Sequence, residues 1–417
     1  MKFSKSNCLK IGALNCQGLE GKLDFPELYN LINASDIFGV TETWLTLEKE
    51  DECFIDGYKF YPLSRKKEKG ANRGGVGLFI KKEWKEHIKI RYDLSCENFL
   101  WCKMSKSFFG FHDDVYVAIV YFPPESSTRE KRANMDHFQN LKESVRRIDS
   151  DNVILMGDFN ARTNNISDVI IGEKDEDDLD QVGFFSKIDT QRRNQDQTVN
   201  QYGRQLIEYC IATRSYIANG RTIGDLQGKY TCHEYNGSST VDYAVVSENL
   251  RDRVQSFRVC DPDTGSDHSP IELDLSLPFK LEQKNNSYTK LPPKIIWNET
   301  TKVNFELKMK SPNTLSKINE LQDKLNLSDD NTNEVIADLI KIITPDSLKK
   351  TKSDRKKRAP KKWYDHSCYE MSRRLKTVTK LFTKSPTNPH LRGSYCKTRK
   401  DYKKLLKLNR RDMQRTV

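Results

Sequence analysis

Val153-Ile154-Leu155-Met156-Gly157-Asp158-Phe159-Asn160-Ala161-Arg162 is the stretch on which the fold turns. Its four leading apolar residues run without a polar interruption, which implies a strand buried on both faces. The run stops at a glycine, then gives a carboxylate and an amide on either side of one aromatic. Successive side chains of extended backbone point to opposite faces. Asp158 and Asn160 therefore share a face, with Phe159 turned into the core. Ligand sites in α/β sheets favour the carboxyl ends of strands. A carboxylate there can take a proton from water, and an amide beside it can donate to a phosphate oxygen. Asp and Asn are also ordinary turn formers, so the motif alone leaves a plain strand exit open.

Outward from this run the first 280 residues alternate short apolar runs with turn chemistry. Strands are expected at Leu9–Leu14, Asp36–Thr41, Gly75–Ile80, Val115–Tyr121, Val153–Met156, Thr240–Val246 and Pro270–Leu275. Helical spacing joins Met135, Phe138, Leu141, Val145 and Ile148, and again Leu206, Ile207, Cys210 and Ile211. The mixture predicts an α/β domain of two packed β-sheets flanked by helices, a four-layer sandwich.

Several other strand ends carry polar groups. Gly265-Ser266-Asp267-His268-Ser269-Pro270 is a polar loop that feeds a strand, and Asp242 opens another. A buried Asp beside His268 would favour the imidazolium and orient its ring. Glu42 follows the run Asp36–Thr41, Asn15 follows Ile11–Leu14, and Tyr121 precedes the rigid Phe122-Pro123-Pro124 turn. Each has a plainer reading: Glu42 as a surface residue, Asn15 as a turn former, Tyr121 as a core aromatic, His268 as a structural hydrogen-bonder. Together they bring oxygen-rich donors to the ends of separate strands, which suits a hard divalent cation such as Mg²⁺.

This ordered set resembles the endonuclease/exonuclease/phosphatase superfamily over about residues 8–278. It comprises Leu14-Asn15-Cys16-Gln17-Gly18, Thr41-Glu42-Thr43-Trp44, Tyr121 before Phe-Pro-Pro, Gly157-Asp158-Phe159-Asn160, Val241-Asp242-Tyr243 and Ser266-Asp267-His268. Finer features are similar to the endonucleases of non-LTR (LINE-type) retrotransposons: Arg73-Gly74-Gly75-Val76-Gly77, Asn219-Gly220-Arg221, Gly228-Lys229-Tyr230-Thr231, and Lys362-Trp363-Tyr364-Asp365 followed by Cys368. The resemblance implies Glu42 as the principal metal ligand, assisted by Asn15 and Asp267, with Mg²⁺ as cofactor and Mn²⁺ as a substitute. Asp158 would be the general base. Asn160, Tyr121 and His268 would hold the scissile phosphate, with Asp242 orienting His268. Nucleic-acid contact is expected of Thr231 and the hairpin after it, and of Ser266, Arg162, Lys361 and Trp363. The implied reaction is DNA nicking that leaves a 3′-hydroxyl and a 5′-phosphate, the end that primes reverse transcription. Alternatives are a lipid or inositol phosphate hydrolase of the same fold, and a catalytically decayed nucleic-acid-binding remnant.

Charge organises the rest. The net charge is +11, but residues 351–417 hold 22 Lys+Arg against 5 Asp+Glu, a net of +17, which leaves −6 for the remainder. A tail of this kind suits a polyanion, DNA or RNA. Three regions are expected: the superfamily domain at 1–278, a linker with short amphipathic helices at 279–350, and a basic helical nucleic-acid-binding segment at 351–417. Leu315, Ile318, Leu321 and Leu325 mark one of the short helices, and Val335, Ile336, Leu339, Ile340 and Ile343 another. The ten cysteines show no Cys-x-x-Cys pair, which argues against a disulfide framework or a zinc site. Met1–Lys10 is polar and basic without the apolar core of a secretory signal. No run nears the roughly 18–20 apolar residues of a membrane span. The expectation is an intracellular, nuclear protein without a membrane partner. The aromatic-x-Asp-Asp stretch Phe111-His112-Asp113-Asp114 lies inside the superfamily region and none follows it up to Val417, so a polymerase domain or partner is expected to be missing from a fragment, a degenerate copy or a domesticated nuclease.

Overall fold

Two six-stranded sheets lie at the centre of the computed structural model. It describes residues 8–23, 25–65, 73–125, 136–169, 191–277, 299–327, 338–339, 342 and 363–415. The first sheet contains β1 (Cys8–Asn15), β2 (Ile37–Thr41), β3 (Tyr58–Leu63), β4 (Val76–Lys81), β13 (Val254–Val259) and β14 (Ile271–Ser276), in the order β13-β14-β1-β2-β4-β3. The second contains β5 (Ile88–Ile90), β6 (Phe99–Met104), β7 (Val115–Tyr121), β8 (Val153–Asp158), β9 (Ser215–Ile217) and β12 (Asp242–Ser247), in the order β5-β6-β7-β8-β12-β9. A separate ribbon pairs β10 (Cys232–Glu234) with β11 (Gly237–Ser239). The helices are α1 (Leu19–Lys22), α2 (Pro26–Ala34), α3 (Lys106–Phe109), α4 (His137–Arg146), α5 (Gln201–Ala212), α6 (Glu299–Met309), α7 (Pro312–Leu327), α8 (His366–Lys384) and α9 (Pro389–Arg415).

Three apolar clusters make four layers of this. Ile11, Ile37 and Leu78 of the first sheet meet Val117, Ile119, Ile154 and Ala244 of the second. The outer face of the second sheet, with Tyr116, Ala118, Leu155 and Tyr243, is covered by Phe138 and Leu141 of α4 and Leu206 and Cys210 of α5. Along β7, odd residues enter the inter-sheet core and even ones the helical layer, the period of two that a doubly buried strand requires. The outer face of the first sheet, with Leu14, Phe38, Val40 and Phe79, is covered by Leu28 and Ile32 of α2.

The same cluster takes in Leu375 and Phe382 of α8 and Tyr395, Tyr402 and Leu406 of α9. The chain divides into two compact units: Met1–Leu281 with Lys362–Val417, and Glu282–Lys361. The basic C-terminal segment, expected as a region of its own at 351–417, falls from Lys362 onward in the same unit as the sheets. Each Leu or Phe buried there contributes about 1.5–3 kcal/mol, so detaching the two helices is costly. In the second unit α7 coincides with the expected Leu315–Leu325 helix and buries Leu321. The first part of the region expected at 279–350, residues 279–298, and most of the Val335–Ile343 pattern lie outside the described residues.

The seven expected strands match β1, β2, β4, β7, β8, β12 and β14, shifted by a residue or two at their ends. Unanticipated β3, β5 and β13 are edge strands with partly exposed residues, so their composition is mixed, while the edge strand β9 is buried throughout but only three residues long. β6, by contrast, carries an adequate apolar run, Phe99-Leu-Trp-Cys, and is simply an addition to the set.

Candidate active site

Register explains why residues so far apart in sequence converge. β1 and β2 run parallel with Asn15 opposite Thr41, so Asn15 and the following Glu42 leave one edge together. β7 and β8 run parallel with Tyr121 opposite Asp158. β12 runs antiparallel to β8 and pairs Asp242 with Asp158. β14 runs antiparallel to β1, which returns Asp267 and His268 to the same edge.

At this edge the side chains form one network. Asn15 Nδ2 donates to Glu42 Oε1 at 3.0 Å and to Asp158 Oδ2 at 2.8 Å. His268 Nδ1 meets Asp242 Oδ2 at 2.8 Å, while its Nε2 lies 4.0 Å from Asp158 Oδ2 and 3.9 Å from Asp267 Oδ1. Asp158 Oδ1 accepts from the Asn160 backbone N–H at 2.9 Å, and Asn160 Nδ2 reaches Phe122 O at 2.7 Å and Asp158 Oδ2 at 3.3 Å. Glu42 and Asn160 both sit in left-handed backbone, φ 50° and 48°. Such conformations cost about 1–3 kcal/mol and persist where surroundings hold them. Gly157 is required beside Asp158: its φ is 136°, and a Cβ there would lie 2.2 Å from Val120 O.

Burial and neighbouring charge set the protonation preferences. Burial, then the Asp242 carboxylate, push Asp158 up to about 7. Burial works against a charged His268, yet Asp242 outweighs it and holds the imidazole well above its usual range. Tyr121 is raised by burial and by Glu42 and Asp158, so it stays a neutral phenol. Burial also opposes ionisation of Asp267, but the His268 and Arg399 charges hold it below the ordinary carboxylate value.

A divalent cation fits this donor set. Asp267 Oδ1 is buried with no hydrogen-bond partner, an expensive position for a carboxylate oxygen without a cation. One ligand atom each from Asp158, Asp242 and His268 lies within 4.8 Å of the others, and the same holds for Cys232, Asp267 and His268. Asn15 is bonded to Asp158 directly and links Glu42 to it. Oxygen donors dominate, as Mg²⁺ prefers.

The residues expected to touch nucleic acid divide differently. Thr231 and Ser266 are wholly buried, so neither side chain faces a nucleic acid in this structure. Thr231 Oγ1 accepts from the N–H groups of Val241 and Asp242, both at 3.0 Å, and so fixes the start of β12. Ser266 Oγ donates to Asn15 O at 2.6 Å and accepts from His268 N–H at 3.2 Å, tying the Asp267–His268 loop to β1. Arg162 spends its guanidinium on Asp196, Nε to Oδ2 at 2.8 Å and Nη2 to Oδ1 at 2.6 Å. Trp363 is half-buried against the apolar cluster that the outer face of the first sheet shares with α8 and α9. Lys361 lies outside the described residues. The hairpin after Thr231 is the β10–β11 ribbon, and its tip exposes Tyr235 to 77%.

The structure adds supporting residues. Asn200 caps α5 through Gly203 N–H at 2.8 Å and donates to Asn160 O at 2.8 Å, bracing the Asp158–Arg162 turn. Gly203 is needed there, because a Cβ would meet Arg162 O at 1.9 Å. Asn219 bridges Asp242 O and Ala244 N–H, which accounts for the Asn-Gly-Arg motif. Asp365 caps α8 by accepting from Cys368 N–H at 2.9 Å, and Cys368 is buried. The Trp-Tyr-Asp…Cys pattern is therefore a helix start. Asn200 before a helical run was a readable cap signal; Asn219 gave no sign of its target.

Residues 115–272 match the sequence model of a protein family described as endonuclease-reverse transcriptase. The match supports the endonuclease/exonuclease/phosphatase superfamily and a hydrolase of nucleic-acid phosphodiesters. Among solved structures, the endonuclease domain of TRAS1, a telomere-specific non-LTR retrotransposon, is 14% identical with TM-score 0.43, covering 65% of this chain and 99% of that one. The AP endonuclease LMAP from Leishmania major is 18% identical with TM-score 0.49, covering 66% and 90%. The 3′ phosphatase NExo from Neisseria is 18% identical with TM-score 0.45, covering 64% and 99%. No curated protein matches.

Proposed function

We propose that this chain is a Mg²⁺-dependent phosphodiesterase that nicks DNA and leaves a 3′-hydroxyl and a 5′-phosphate. One observation carries the reading: Asp158, held between the Asn15 amide and the Asp242–His268 pair, at an edge where Asp267 keeps a buried oxygen without a hydrogen bond. Glu42, Asn15 and Asp267 would hold the cation. When bound, Mg²⁺, or Mn²⁺ in its place, neutralises charge on the scissile phosphate and its leaving oxygen.

The chain's own groups do the rest. Asp158, with its raised proton affinity, accepts a proton from the attacking water. Protonated His268 faces it across 4.0 Å and stabilises negative charge on the phosphate, with Asp242 keeping the ring charged and oriented. Tyr121, a neutral phenol, donates a hydrogen bond from the wall made by β7.

Nucleic acid as the substrate is supported by the exposed basic faces of α8 and α9, which include Arg374, Lys380, Lys384, Lys400, Lys404 and Lys407. The same faces suit RNA. Among the described residues no helix is long and apolar enough to cross a membrane. A chromosomal substrate would place the protein in the nucleus, and a polymerase supplied by further chain or by a partner would use the new 3′-hydroxyl.

Supercoiled plasmid incubated with Mg²⁺, or with EDTA, tests this. Open circles should form only with metal, should be sealed by DNA ligase and should prime a polymerase. Equal nicking in EDTA, or circles that ligase cannot seal, would overturn the reading. Hydrolysis of an inositol phosphate in place of DNA would favour the alternative substrate class.

A further inference from the structure

α9 presents Tyr395, Arg399, Tyr402 and Leu406 on one face, at spacings of four, three and four residues. The three neighbours of Arg399 on this face are buried in the core and act as anchors. Tyr402 packs edge-on against Phe25 at 5.1 Å, and its hydroxyl lies 2.9 Å from that of Tyr364. Tyr395 stacks on Phe382 of α8 at 4.9 Å and donates to Pro262 O at 2.7 Å. A polar tie adds to these, with Ser372 Oγ 2.8 Å and Lys376 Nζ 3.1 Å from Glu27 of α2. The helix therefore has one seat on the sheet, and the seat fixes where Arg399 goes.

Arg399 goes to the catalytic loop. Its Nη1 donates to Ser266 O at 3.1 Å, to His233 O at 3.3 Å and to Tyr395 Oη at 3.2 Å. Ser266 immediately precedes Asp267 and His268. His233 closes the other side, its N–H donating to Asp267 O at 2.8 Å. One guanidinium thus joins the two backbone segments that flank Asp267. With the Ser266 hydroxyl on Asn15 O, the loop is fixed from two sides: by β1 and by α9. Both carbonyls are reached from one nitrogen of a planar, permanently charged guanidinium, which differs in geometry from a lysine ammonium on its flexible stem.

We propose that Arg399 is a positioning residue of the hydrolytic site, setting the loop that carries Asp267 and His268, so that the C-terminal helical pair completes the site. This rests on the hydrolase reading above. A residue 133 positions downstream of Ser266 thereby acts on the catalytic edge, and the basic tail has a role separate from any long-range attraction of a polyanion.

The test uses the full chain with ¹⁵N-labelled histidine, which gives only seven labelled residues, in wild type, Arg399→Gln, Arg399→Lys and Lys407→Gln. Lys407 is exposed on the same helix and removes the same charge. Without metal or DNA, Arg399→Gln should displace the amide signals of His268 and His233, Arg399→Lys should displace them less, and Lys407→Gln should not. In plasmid nicking Arg399→Gln should lower kcat about 10–100-fold and raise the Mg²⁺ needed for half activity, as loss of a group that orients metal ligands does, with KM for DNA little changed. A folded Arg399→Gln protein with unmoved histidine signals would overturn the proposal, as would equal displacement of those signals by Lys407→Gln. If Arg399→Gln does not fold, Arg399→Lys decides, and a wild-type spectrum overturns it. Wild-type protein that nicks nothing sinks the hydrolase reading by itself, because the histidine spectra report loop position in either case.

Discussion

Replacing Thr231 by Val separates a positioning role from a DNA-contacting one. The substitution is nearly isosteric and removes one buried hydroxyl, on a residue with 0% exposure. That hydroxyl is the acceptor for two N–H groups, of Val241 and Asp242, each at 3.0 Å. Both donors would be left buried without a partner, at about 1–3 kcal/mol each, so about 2–6 kcal/mol together. Against a total reserve of roughly 5–15 kcal/mol for a folded domain, the loss is large. Urea unfolding followed by tryptophan fluorescence should show it in full. Nicking should fall as well, because the freed N–H belongs to Asp242, which orients His268. DNA affinity of the protein that remains folded should hardly change. Tyr235→Ala at the exposed ribbon tip should do the reverse, with stability within about 0.5 kcal/mol of wild type and weaker DNA binding. A Thr231→Val protein as stable as wild type but with reduced DNA affinity would refute this reasoning and restore Thr231 as a contact.

Three further outcomes are expected. Asp158→Asn should lower nicking about 10²–10⁴-fold. It should also raise the melting temperature of metal-free protein at pH 8 but not at pH 4. The folded carboxyl is pushed up to about 7 from 3.8, so within that window the folded state holds the extra proton and stability falls as pH rises, a loss the amide cannot suffer; an equal shift at both pH values would contradict it. Asp242→Asn should lower the His268 pKa, since the carboxylate 2.8 Å away is what raises it; an NMR titration with an unmoved imidazole would break the pairing. Glu42→Gln should raise the Mg²⁺ concentration for half-maximal nicking, with partial recovery at high Mg²⁺ or Mn²⁺, and an unchanged metal titration removes Glu42 from the ligand set.

Much of this protein was written locally. The apolar runs that became β2, β7, β8 and β12 are buried on both faces, so their composition is largely apolar, β1 and β14 keep apolar residues at alternate positions, and the ends of these strands carry the polar residues that meet at the candidate site. Asn15, Glu42, Tyr121, Asp158, Asp242 and His268 were legible for that reason. A strand end is where a chain can change from apolar to polar without burying an unpaired group. Edge strands such as β3 and β13 have one solvated side, and their mixed sequence hid them.

What tertiary structure alone decided is which polar group faces outward. Thr231, Ser266 and Arg162 have the composition of nucleic-acid contacts, yet their hydrogen-bonding atoms are directed at Asp242, Asn15 and Asp196. The direction of a side chain is set by its neighbours in space, and sequence does not name those neighbours. The C-terminal helices show this most clearly. Their charge is plain in the sequence and suggests a free basic tail. Their seat on the first sheet depends on Leu375, Phe382, Tyr395 and Tyr402 meeting an apolar face built by residues 14–79. That complementarity between distant surfaces exists only once both are folded, and it brings Arg399 to the loop that holds Asp267 and His268.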